Sequence, residues 1–331
     1  MESAPVSIHV GVIGEGLIEL CGTEFGTLRQ ACGGDTLNTA VYLARLLRQR
    51  ASISYATVVG SDSLSDTMLE RWQADGLDIG LALRDPARLP GLYQVQVDSR
   101  GERRFLYWRQ ESAARYLLRH DDFARVRQAL SKVDLIYLSG ISLAILPGED
   151  RAALIELLSS LAARGIPLAF DTNYRESLWS TVEAAASAIT ALLPAIRFVF
   201  ATFDEEQRLW GDETPDDTLA RYRGAGVASV IVKLGPAGCL YGGENPRLSF
   251  AAHQVPVVVD TTAAGDAFNA AFLAASLSGR SAQDCCRAAN ALAATVIQHR
   301  GAIIPAQATP SLEQLLGEHA SGQRLCGTGP E

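Results

Sequence analysis

Lysine is almost missing from this chain: of 29 basic residues only Lys132 and Lys233 are Lys, the other 27 being Arg. Each Lys is therefore worth locating. Positive charge is also short, since 37 acidic residues leave a net −8, and a field of that sign repels polyanions. Neither nucleic acid nor an anionic membrane is an expected partner, and any phosphate must be gripped locally. Long hydrophobic runs are absent too. The uncharged stretch from Leu135 to Gly148 is broken by Gly140 and Pro147 and is too short to span a bilayer. No basic residue precedes Arg29, so an export signal is not expected.

Paired cysteines are lacking as well. The six Cys include no C-x-x-C, and the adjacent Cys285 and Cys286 suit neither zinc nor an easy disulfide. A reduced, cytoplasmic chain is the expectation. No G-x-x-x-x-G-K-[ST] occurs, which excludes a P-loop, and the five His have no H-E-x-x-H spacing. A G-x-S-x-G elbow is missing. Gly11, Gly14 and Gly16 follow a predicted strand but do not have dinucleotide-site spacing.

What is present is an α/β rhythm over 331 residues, 48% of them hydrophobic. Strands are predicted at Val6 to Ile13, Ile53 to Val59, Leu135 to Leu138, Pro167 to Phe170, Phe198 to Ala201, Val230 to Lys233 and Cys239 to Tyr241. Helices are predicted near Thr36 to Arg48, Ser65 to Asp75, Arg151 to Arg164, Val182 to Leu193, Ala267 to Leu277 and Ala282 to Gln298. Such alternation implies a mainly parallel sheet covered by helices. Gly91 to Val97 and Arg103 to Trp108 interrupt it as a hairpin around Asp98-Ser99-Arg100-Gly101. Beyond Pro310 a short helix toward His319 and a loose Gly-rich end from Ala320 are expected.

The most informative stretch runs from Val257-Val258-Val259 through Asp260-Thr261-Thr262-Ala263-Ala264-Gly265-Asp266 into a helix. It reads as an apolar strand leading through small residues to a helix start. Small side chains let a ligand approach the backbone, and free N–H groups with the positive end of the helix dipole attract phosphate. Asp266, in the first turn, faces the same place, although a capping role alone also accounts for an Asp there.

That segment resembles the D-T-x-G-A-G-D signature of the PfkB-type, or ribokinase-like, carbohydrate kinases, with Ala263 in place of the first Gly. Gly33-Gly34-Asp35-Thr36-Leu37-Asn38 is similar to the family's N-terminal G-G-x-x-x-N. Leu89 to Tyr93, Tyr107 to Arg109, Leu138 to Ile145, Asp171 to Arg175 and His299 to Pro305 resemble its acid-sugar kinases more than ribokinase or fructokinase. Nearly the whole chain, to about Pro305, is covered.

The resemblance implies a three-layer α/β/α sandwich spanning 1–310, with a small β lid from about 16–30 and 91–109, and 311–331 as a tail. It implies ATP with Mg²⁺ as cofactors and a sugar acid, 2-dehydro-3-deoxygluconate, phosphorylated at its 6-hydroxyl. The galacto epimer, fructose or ribose as acceptor, or a catalytically silent sensor, are the other readings. Asp266 would be the base, and the amides of Ala263, Ala264, Gly265 and Asp266 would stabilise the transferring phosphoryl group. Gly34, Asn38, Tyr93 and Tyr107 would hold the sugar, and Arg109 and Arg175 its carboxylate, for which a planar guanidinium is suited. Lys233, Gly235, Gly238 and Asn290 would serve the nucleotide. No direct metal ligand is expected, Glu206 acting at most through water because Phe203 replaces the Asn of the family's N-x-x-E. Pairing of two chains through the lid is a further implication.

Overall fold

Leu135–Ser139 and Leu168–Asp171 are buried at every residue, as strands covered on both faces must be. In the computed structural model, which describes residues 8–22, 25–97, 103–243 and 247–317, they are β8 and β9 of a nine-stranded sheet. Its order is β13-β12-β11-β10-β9-β8-β1-β4-β5. The remaining members are β1 (Ile8–Ile13), β4 (Ala51–Gly60), β5 (Ala82–Asp85), β10 (Ile196–Thr202), β11 (Ser229–Lys233), β12 (Cys239–Gly242) and β13 (Leu248–Phe250). All pairings are parallel except those of β12 with β11 and β13.

One face of the sheet packs on the helices Asp35–Leu47, Ala264–Leu277 and Ala282–Val296, the other on Gly148–Ala163 and Val182–Leu192. The result is a three-layer α/β/α sandwich. Helix Ala264–Leu277 is apolar nearly all round and carries Ala at 267, 270, 271, 274 and 275, all buried, so it lies close against helix Asp35–Leu47. That packing sets the first turns of the two helices side by side.

A second sheet of four strands, β3-β2-β6-β7, stands apart from the first. It consists of β2 (Leu17–Gly22), β3 (Leu28–Gly33), β6 (Leu92–Val97) and β7 (Arg103–Trp108). β2 pairs antiparallel with β3 but parallel with β6, so this sheet is mixed. The turn from Asp98 to Gly101 and the chain end from Ala320 lie outside the described residues, as does His319.

One expectation fails. The chain from 251 to 262 forms no strand, and Val257, Val258 and Val259 are exposed. Pro256 removes a ladder donor just before them, and the N–H groups of Val259 and Asp260 turn instead to the Ile297 carbonyl at 2.8 and 3.1 Å. The segment is therefore a loop clamped to a helix end, and it delivers Asp266 without belonging to the sheet.

Candidate active site

The parallel strands end on one side of the sheet, where β1 runs on to Glu15 and β8, β9, β10 and β11 finish at Ser139, Asp171, Thr202 and Lys233. Ligands of open α/β sheets bind beyond such carboxyl ends. Here a cavity of about 830 Å³ lies between those ends, the small sheet and the first turns of the two adjacent helices. Gly34, Asn38, Tyr93, Tyr107, Arg109, Arg175, Lys233, Ala263, Ala264, Gly265 and Asp266 all line it.

Asp266 accepts a hydrogen bond from Asn38 Nδ2 at 2.8 Å. Burial and the neighbouring Asp35 carboxylate push its carboxyl up to about 8, against the opposing effect of the Asn38 bond. A carboxyl so placed exchanges its proton near neutrality. The first helical turn beside it offers amides. Ala264 N–H turns back to Thr261 O at 3.2 Å, whereas those of Ala263, Gly265 and Asp266 have no acceptor among the described residues. Ala263 holds φ 60°, ψ 14°, a left-handed conformation that Gly adopts without penalty.

Lys233 is buried at the end of β11, its Nζ 3.0 Å from Asp171 Oδ2 and 3.4 Å from Asn269 Oδ1. A Cβ on Gly265 would lie 3.4 Å from the same Nζ. Lys233 therefore sits beside the free amides. Asn269 also donates to Asp171 at 2.6 Å and to Tyr137 at 3.0 Å, fixing the Asp171 carboxylate from below.

The two arginines are already paired. Arg109 is buried and donates to Glu15, which is 2% exposed, yet Arg109 Nε and Glu15 Oε1 have no partner. Arg175 donates to Glu205 at 2.6 Å with 48% of its side chain exposed, so it is the more available cation. Tyr93 donates to Glu19 and packs 5.7 Å from the Tyr107 ring, which remains open to the cavity.

Four expected residues lie away from this cavity. Gly235 and Gly238 shape the β11–β12 turn with φ of 56° and 99°, and a Cβ on Gly238 would stand 1.9 Å from Phe250 O. Asn290 is buried and donates to Ala251 O at 3.5 Å. Glu206 is fully buried, accepting from Arg221 and Tyr222 at 2.8 Å each, and burial raises its carboxyl pKa. Its neighbour Glu205 lines the cavity instead, with Oε2 buried and unpartnered.

Sequence reasoning missed Asp35. It lies on the cavity wall, where Ser139 Oγ and Asn173 Nδ2 (2.9 Å) donate to it. The signal was at hand, since Asp35 sits inside the Gly33 to Asn38 segment. Asp171, Asn173, Glu205 and Arg104 also line the cavity and were not singled out individually.

Residues 8–309 match the model of the pfkB family of carbohydrate kinases. A 2-dehydro-3-deoxygluconokinase of Haemophilus influenzae is 48% identical over 309 residues, covering 92% of this chain and 98% of its own. One from Escherichia coli K12 is 43% identical over 312 residues, covering 92% and 100%. Among solved structures, an Escherichia coli protein described as a ribokinase II, in complex with ATP and Mg²⁺, superposes with a TM-score of 0.81 at 25% identity, over 94% and 99% of the two chains. The PfkB protein of Polaromonas sp. JS666 gives 0.80 at 24% identity over 95% and 100%, a likeness of fold. Given a family match over nearly the whole chain and relatives of this closeness, the chain belongs to the pfkB family of carbohydrate kinases.

Proposed function

We propose that this chain transfers the terminal phosphoryl group of ATP to the 6-hydroxyl of 2-dehydro-3-deoxy-D-gluconate, giving 2-dehydro-3-deoxy-6-phospho-D-gluconate and ADP. The observation that carries the reading is the Asp266 carboxyl, pushed up to about 8 and set beside three acceptor-free amides in the cavity. The substrate is supported by the activity named for the bacterial relatives.

Asp266 takes the hydroxyl proton as the new O–P bond forms, and a base titrating near neutral pH suits that transfer. Asn38 holds the carboxylate in register. The amides of Ala263, Gly265 and Asp266, with Lys233 nearby, stabilise charge on the phosphoryl oxygens. Asp35 accepts from a sugar hydroxyl while Ser139 and Asn173 fix its orientation. Tyr107 covers the sugar, Gly34 lets it approach the backbone, and Arg175 with Arg109 faces its carboxylate. Gly235, Gly238 and Asn290 shape the adenosine side. Mg²⁺, brought with ATP, supplies charge neutralisation on the phosphate oxygens. Such an ion would be held largely by phosphate oxygens and water. Glu205, whose Oε2 is orphaned, and Asp171 line the same cavity and would accept from the water shell of that ion.

The small sheet closes over the sugar and keeps water from competing as acceptor. Its exposed Leu28, Phe105 and Trp108 would be covered by a second chain, a pairing that sedimentation tests directly. The cytoplasm is the compartment we assign. A neutral sugar is the second reading, favoured by the engagement of both arginines with Glu15 and Glu205.

The test is ADP release with Mg-ATP and, in parallel, 2-dehydro-3-deoxygluconate, its galacto epimer, fructose and ribose. Turnover led by the first is expected. Preference for fructose or ribose would overturn the acid-sugar assignment, and no turnover with any would overturn the kinase reading in favour of a sensor.

A further inference from the structure

Behind the small sheet, away from the cleft, lies a cavity of about 310 Å³ whose three arginines come from three separate parts of the chain. Strand β3 contributes Arg29, helix Ser63–Ala74 contributes Arg71 and Trp72, and the chain just before Gly301 contributes Arg300. The tip of Arg29 reaches that last segment, its Nη2 standing 3.9 Å from where a Cβ on Gly301 would sit.

Donors outnumber free acceptors here. None of the three guanidinium groups forms an ion pair with a carboxylate among the described residues, and Arg71 has only the Cys32 thiol as a side-chain hydrogen-bond neighbour. The Trp72 side chain is 1% exposed and its indole N–H has no acceptor. Two carboxylates also stand in the wall: Asp75, which binds Arg45 through Oδ1 at 2.6 Å, and Glu19, whose Oε2 accepts from the uncharged Tyr93. Burial raises the pKa of the Cys32 thiol, so it stays protonated at neutral pH and offers no thiolate. In a chain of net −8, three arginines against two carboxylates, one of which is already paired with Arg45, leave this pocket with an excess of positive charge among the described residues.

We propose that this cavity is a binding site for a small anion bearing a phosphoryl group, gripped by Arg29, Arg71 and Arg300 and separate from the catalytic cleft. A phosphoryl group carries close to two negative charges and three acceptor oxygens, enough to meet guanidinium groups arriving from three directions. The volume is at the lower end for ligand pockets and suits inorganic phosphate or a short phosphorylated acid. An occupant would join the small sheet to the body of the molecule through Arg29 on one side and Arg71 and Arg300 on the other.

The test is calorimetric titration of the full chain with inorganic phosphate and, separately, phosphoglycolate, with the catalytic cleft filled by excess Mg²⁺ and a non-hydrolysable ATP analogue. One saturable site is expected. It should persist in Asp266→Asn and weaken by about tenfold or more in the Arg29→Gln/Arg300→Gln double variant, because charge-assisted bonds are lost. Those two side chains are exposed, so the variant should fold and keep its ADP-release rate in buffer without added inorganic phosphate or phosphoglycolate. Tighter binding of phosphoglycolate assigns the site to an organic phosphate, and equal or tighter binding of phosphate assigns it to the free ion. Absence of saturation, or undiminished binding in the double variant, overturns the proposal.

Discussion

On the proposed assignment, the sugar side and the phosphate side of the cleft are built by different means. On that assignment the sugar end is lined by side chains held by partners from distant parts of the chain: Arg109 by Glu15, Asp35 by Ser139 and Asn173, and Arg175 by Glu205. Toward the phosphates the wall is mostly backbone, from Ala263 to Asp266, with the Gly235 to Gly238 turn farther out. Asp266 stands at the seam. A wall of backbone fixes phosphate geometry whatever the acceptor is, whereas a wall of paired charges can be changed to suit one sugar.

The largest expected effect comes from breaking the seam itself. Asp266→Asn should lower turnover by about 10² to 10⁴, the range of general-base catalysis, at unchanged nucleotide affinity. It should also stabilise the protein in alkaline buffer. The folded pKa of Asp266 is raised above its unfolded value, so its contribution is complete below pH 4 and is lost as pH rises toward about 8. The Asn variant escapes that loss. Thermal midpoints at pH 5 and pH 8.5 should therefore diverge, with the variant ahead at the higher pH. Wild-type turnover should rise through the same window, and a flat profile would remove the base assignment.

Asp35→Asn tests the charged wall from its unforeseen member. Removing that carboxylate takes away a like charge from Asp266, so the rising limb of turnover should move to lower pH. Loss of a charged acceptor should raise KM for the sugar by about tenfold while KM for ATP stays put. An unchanged sugar KM would show that Asp35 only tunes its neighbour.

Gly238→Ala probes the opposite wall. Its Cβ would meet Phe250 O at 1.9 Å and its φ is 99°, so the β11–β12 turn must shift. We expect a rise in KM for ATP, a stability loss of about 1–3 kcal/mol, and no change in sugar KM. Equal rises in both constants would mean that the two walls move as one.

The same contrast explains what could be read from the chain alone. Backbone-built features are local, so Gly33 to Asn38 and Asp260 to Asp266 were visible as spaced small residues at helix starts. The parallel strands were visible because burial on both faces demands apolar runs, as at Leu135–Ser139. Edge strands β5 and β13, of four and three residues, leave too short a pattern, and Pro256 turned an apparent strand into a loop. The charge pairs were hidden for another reason. Glu15 and Arg109 are 94 residues apart, and only the folded sheet shows that they meet.

The smallest expected effect belongs to Ala263, where this chain has a methyl group on a backbone that favours Gly. At φ 60° a non-Gly residue costs about 1–2 kcal/mol relative to the right-handed region. Ala263→Gly relieves that cost but loosens the unfolded chain, which returns about 0.4–1 kcal/mol of the gain. Net stabilisation should be about 1 kcal/mol or less, read from denaturant midpoints at constant slope. Turnover should hardly change, because the substitution leaves every amide of the turn in place. If KM for ATP instead rose while stability improved, the Ala263 methyl would be a packing surface for the nucleotide, and the phosphate side of the cleft would depend on side chains after all.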